Sequence, residues 1–124
     1  MNTPVSFEIA KLLKEKEFNI PQLYFYIDGD ISWKVDNTRC RNQIEGEYAA
    51  PTIAEVVMWL FDKHGIWING GLYSHLGNVS KFQFTIESQK SRSTNSIVQL
   101  NINPFNSPAE AYEAAIEYTL KNLL

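Results

Sequence analysis

A chain of 124 residues, 44% hydrophobic and 20% charged, is long enough to bury a core of its own, too short for two ordinary domains and too apolar for a disordered polymer. A formal net charge of −3 disfavours nucleic acid as an obligatory partner, and the single cysteine, Cys40, excludes an internal disulfide and suits a reducing compartment. The opening lacks the basic-then-apolar pattern of a secretory signal and no apolar run reaches the ~20 residues of a membrane span, so a cytoplasmic protein without a membrane partner is expected.

Taken in chain order, the first predicted element is a helix capped by Thr3 with Pro4 at its first turn, its apolar stripe formed by Val5, Ile9, Leu12 and Leu13. "QLYFYIDGDISWKV" alternates with period two and predicts a hairpin. Closing Ile27 against Ile31 around Asp28-Gly29-Asp30 puts Leu23, Phe25 and Ile27 on one face with Ile31, Trp33 and Val35, so a three-residue loop is preferred. The polar stretch from Asp36 to Gln43 reads as a loop.

"APTIAE" offers Thr52 and Glu55 as a capping box for a second helix, which His64-Gly65 would end. "GIWIN" follows as a strand with Ile66 and Ile68 inward and Trp67 and Asn69 outward, and Gly70-Gly71 marks a turn or bulge. "KFQFTIES" and "IVQLNIN" alternate cleanly, with Phe82, Phe84, Ile86, Val98, Leu100 and Ile102 inward, joined by a polar loop from Gln89 to Ser96. Ser107, Pro108 and Glu110 open a third helix that runs to the C-terminus. The order α-β-β-α-β-β-β-α predicts one two-layer α+β domain over 1–124, an antiparallel sheet of about five strands with three helices mainly on one face.

Three blocks, "MNTPVSFEIAKLLKEK", "APTIAEVVMWLFDKHGIWI" and "FNSPAEAYEAAIEYTLKNLL", resemble a family of small, functionally uncharacterised proteins of phages and mobile elements in gut Bacteroidetes. They cover the three helices, about half of the chain. At Glu17 the sequence departs from the family, which often closes the first helix with glycine. The resemblance carries no functional residue. It implies a context, an accessory protein in the bacterial host cytoplasm that acts on host machinery.

On the middle helix, a step of about 100° per residue gathers Ile53, Ala54, Val56, Val57, Met58, Leu60 and Phe61 on an apolar arc of roughly 200°. Trp59 falls outside it, among Glu55, Asp62 and Lys63, and lies either under a loop such as 36–50 or in solvent as a contact anchor. A self-interface is the simplest use of such an anchor. The outer sheet face would present Tyr24, Tyr26, Lys34, Trp67, Asn69, Gln83, Thr85, Gln99 and Asn101, a pattern that suits a solvated face and also base stacking. Loop cations Lys34, Arg39, Arg41, Lys81, Lys90 and Arg92 would then meet phosphate.

The remaining features favour bland readings. Glu110, Glu113 and Glu117 form the solvated stripe of an amphipathic helix, and His64 and His75 lack further ligands at metal spacing. Cys40 between Arg39 and Arg41 has no partner base, and "NGGLYSHLGN" does not lead into a helix as a phosphate loop does. No catalytic residue, metal or cofactor is expected. The sequence therefore points to a non-enzymatic accessory protein that binds a host or phage protein, with Trp59 and the aromatic sheet face as contact surfaces. The alternative is sequestration of a nucleotide defence signal by Tyr24, Tyr26 and Trp67 with Arg39, Arg41 or Arg92.

Overall fold

A computed structural model of the chain describes residues 3–33, 41–76, 79–88 and 96–124. In order these form α1 (Phe7–Glu15), β1 (Tyr24–Ile27), β2 (Asp30–Trp33), a short 3-10 turn (Arg41–Gln43), β3 (Glu47–Ala49), α2 (Ile53–His64), β4 (Ile66–Leu76), β5 (Val79–Ser88), β6 (Ser96–Phe105) and α3 (Pro108–Asn122). The α+β class holds, but the single five-stranded sheet does not. The strands divide into two antiparallel sheets, ordered β2-β1-β3 and β4-β5-β6. The added strand is β3, too short at three residues to show alternation.

Two of the three helix starts follow their caps. Thr52 Oγ1 accepts from the Glu55 N–H while the Glu55 carboxylate accepts from the Thr52 N–H, and Gly65 closes α2 in the left-handed region at φ 66°. Ser107 caps α3 with Pro108 in its first turn. The first helix starts later than the Thr3-Pro4 signal predicts. Ser6 is its cap, because the Thr3 carbonyl accepts from Ile53 N–H and the Val5 N–H donates to the Pro51 carbonyl, which holds Pro4 in an extended bridge to Thr52. A residue paired across the chain in this way cannot also turn into a helix.

The hairpin also corrects the predicted register. Tyr24 lies opposite Trp33 and Tyr26 opposite Ile31, around a two-residue Asp28-Gly29 turn with φ of 53° and 82°. Two central residues with positive φ give the turn whose twist matches its strands. The one-residue change of register reverses faces, so Phe25 is buried opposite Ser32 while Trp33, expected inside, is 61% exposed.

In the second sheet, Ile66, Ile68, Phe84 and Ile86 point inward as expected. β4 runs on through Gly70-Gly71, and its irregularity falls between Leu72 and Ser74. α3 packs across β4, β5 and β6, α2 packs on β4 and α3, and α1 joins α3 to β3. Ala111 and Ala115 allow the close approach of α3, and Ile116 and Leu120 fill the space between the sheet and the other two helices. Among the described residues, no helix is long and apolar enough to cross a membrane.

Candidate functional site

Trp59 is 5% exposed and belongs to the core. It lies beneath a loop, as one of the two readings expected, and the covering segment is the one that follows α1. Its ring meets Phe18 edge-on at 5.2 Å and His64 at 4.8 Å between centroids. It therefore offers no anchor for self-association. The buried arc of α2 runs from Trp59 through Val56, Leu60 and Ile53 to Val57, about 160° on a helical wheel, turned toward Trp59 relative to the apolar pattern.

That rotation leaves the other edge of the pattern in solvent. Met58 is 48% exposed and Phe61 41%, and Phe61 meets the exposed Trp67 of β4 edge-on at 5.4 Å. Beside them lies an open groove of about 550 Å³ between the chain segment Asn19, Ile20 and Gln22 and the helix residues Ala54, Glu55, Met58, Asp62 and Lys63, with Trp59 also lining it. Gln22 is buried, and its side-chain Nε2 has no hydrogen-bond partner among the described residues. Groups of that kind are rare in folded proteins.

A second cavity of about 450 Å³ lies on the other side of Trp59 and shares Asn19 and Lys63 with the first. Two of its polar side chains, Lys14 and Asn42, hold the chain together. Lys14 donates to the carbonyls of Ile44 and Glu47 and sits over the Tyr48 ring, while Asn42 donates to the Phe18 carbonyl and accepts from Ala49 N–H. This cavity is a seam between α1, α2 and the 3-10 turn, and the groove is the better candidate site.

The three aromatic residues of the nucleotide reading are divided between the two sheets. Tyr24 and Tyr26 stand on β1 and Trp67 on β4 of the other sheet. Tyr26 packs its ring on Phe7 and donates its hydroxyl to the Val5 carbonyl at 2.8 Å, so it serves the fold. Burial, and after it the Glu113 carboxylate, hold its phenol pKa above 10.0. Lys34, Arg39, Arg92, Lys90 and Cys40 lie outside the described residues, and Arg41 is placed only by its backbone in the 3-10 turn.

The carboxylates of α3 hold structural partners. Glu113 accepts from the Ser6 N–H at the start of α1, Glu110 from the Asn106 N–H, and Glu117 pairs with Lys121 at 2.6 Å. No group of three potential metal ligands occurs among the described residues.

Ile20, Gln22, Met58 and Phe61 are site residues that the sequence reading assigned no role or placed in the core. The available signal was the width of the apolar arc on α2, wider than one packed face of a helix covers. No protein family, curated protein or solved structure matches the chain.

Proposed function

We propose that this chain is a non-enzymatic binding protein that acts through protein contacts, with the α2 groove and the adjoining Phe61–Trp67 pair as its contact surface. The observation that carries this reading is the exposure of Met58 and Phe61 on a helix whose other large apolar residues are buried, next to an open groove. Exposed apolar groups gathered on one side of a helix and rimmed by charge are the usual anatomy of a protein contact. Aromatic residues and the adaptable thioether of Met are the side chains that such contacts favour. The mobile-element context suggested by the three helical blocks would make a host protein the partner.

The test is affinity capture from bacterial lysate with wild type and Met58→Glu. Met58 is exposed, so a carboxylate there leaves the core intact, and the melting temperature should hold within about 2 °C. The reading expects a protein retained by wild type and lost by the variant. Retention of the same proteins by both would remove the groove as the contact surface.

A further inference from the structure

We infer that two copies of this chain associate edge to edge through β2, in an antiparallel pairing centred on Ser32 that sets Ile31 of each copy opposite Trp33 of the other. The inference concerns a different surface from the α2 groove and does not rest on the reading above. Among the described residues β2 is an outer strand of its sheet, and its ladder with β1 runs from Asp30 to Trp33 without a register shift. Its four residues carry no lysine, no proline and no bulge, the usual devices that keep a sheet edge from pairing. Ile31 is 48% exposed and Trp33 61%. Of the nine large hydrophobic side chains exposed among the described residues, six lie between Ile20 and Trp33, so the hairpin and its lead-in are where the fold leaves most apolar area uncovered.

The backbone selects the register. The Tyr24 carbonyl accepts from the Ala50 N–H, so Tyr24 bonds toward β3 and, by the alternation of an antiparallel ladder, Phe25 and Ile27 bond toward β2. Their opposites, Ser32 and Asp30, therefore spend their main-chain groups on β1, and those of Ile31 and Trp33 point out from the edge. Two strands related by a twofold axis keep the same face upward, so a register centred within β2 passes through Ile31 or Ser32. Centring on Ile31 pairs that residue with itself and sets Trp33 opposite Gly29. Centring on Ser32 pairs Ile31 with Trp33 twice, uses all four outward groups in hydrogen bonds and joins Tyr24, Tyr26, Ile31 and Trp33 of both copies in one face. The two Asp30 positions then stand about 14 Å apart along the strands, beyond the ~10 Å over which salt leaves charges in contact. A foreign strand would need an apolar pair at this spacing, whereas a second copy brings it by symmetry. The exposed parts of Tyr24, Ile31 and Trp33 amount to on the order of 300 Å² per copy, which with the strand backbones gives a weak, reversible pair below about 1,200 Å² in total.

Sedimentation of the wild type between about 1 μM and about 1 mM should show a reversible monomer–dimer equilibrium. Ile31→Lys and Trp33→Lys should stay monomeric at the concentration where half of the wild type is dimer. Both side chains are exposed, so melting temperatures of the dilute variants should hold within about 2 °C of wild type. A pair of cysteine variants, made with Cys40→Ser, tests the register without touching either apolar side chain. Ser32→Cys should close a disulfide between copies in oxidised glutathione, because a non-hydrogen-bonded pair across the axis has its Cα atoms ~4.5 Å apart. Asp30→Cys, about 14 Å from its mate, should not. A wild type that remains monomeric at about 1 mM would overturn the inference. So would a dimer that persists in both lysine variants, or an Asp30→Cys chain that cross-links as readily as Ser32→Cys.

Discussion

At the scale of single residues, Glu17 shows how a local departure is accommodated. It follows the end of α1 at φ 64°, the left-handed position that glycine usually fills at a helix end. A residue with a Cβ pays about 1–2 kcal/mol there, part of which glycine would return through its larger unfolded-state entropy. Glu17→Gly should therefore raise stability by about 0.5–1 kcal/mol, read as a higher urea midpoint at unchanged slope. An unchanged or lower midpoint would show that the left-handed position is not strained. The turn at this position is followed at once by Phe18, whose ring covers Trp59.

Tyr26 supplies the pH prediction. Its folded pKa is raised, so the fold favours the neutral phenol, and that contribution is fully present below the unfolded value near 10 and is lost as pH rises through the folded value. Wild-type stability should fall from about pH 10 upward. Tyr26→Phe should start about 1 kcal/mol lower for want of the bond to the Val5 carbonyl, and its deficit should shrink in that alkaline window. Chemical denaturation at stepped pH checks this, and a deficit that stayed constant beyond pH 10 would contradict it.

At the scale of elements, legibility followed local chemistry. Thr52 with Glu55, Gly65, and Ser107 with Pro108 specify their helix ends by bonds between near neighbours, so α2 and α3 could be read directly. Thr3-Pro4 carried an equally good local signal, overridden by pairing with residues almost fifty positions away. In the hairpin, Asp28-Gly29 is itself a two-residue turn signal, and it prevailed over the apolar alternation that suggested a longer loop. Alternation assumes that one face of the hairpin is buried. Here Phe25 is buried, but Leu23, Tyr24, Ile27, Ile31 and Trp33 are all exposed, so burial enforced little of that choice of face.

The rotation of α2 has the same character. Seven apolar positions define a face wider than one helix can bury, and the sequence cannot say which edge is left outside. Phe18 and the chain segment after α1 decide it by covering Trp59. The core side of α2 was thus legible from periodicity, whereas the groove was not, because Gln22 and Ile20 reach it from a segment without regular structure.

At the scale of the molecule, the division into two sheets has a consequence for dynamics. The β4–β6 sheet contributes Ile66, Ile68, Phe84 and Ile86 to the core under α2 and α3, all essentially without exposure. The smaller sheet joins that core through Ala49 and the partly buried Tyr26 and Tyr48, while the hairpin beyond them turns large apolar groups to solvent. Opening β1 from β2 therefore exposes little that is not exposed already, whereas opening β4 from β5 breaches the core. Local opening free energy follows that difference. Amides that bridge β1 and β2 should exchange on the order of 100-fold faster than those between Ile68 and Ile86, measured residue by residue in native buffer. Equal protection in the two sheets would mean that the hairpin unfolds only with the whole molecule. The segment of Asn19, Ile20 and Gln22 that walls the groove leads into β1, so fast opening of the hairpin would give this wall room to adjust while α2, fixed on the core, stays in place.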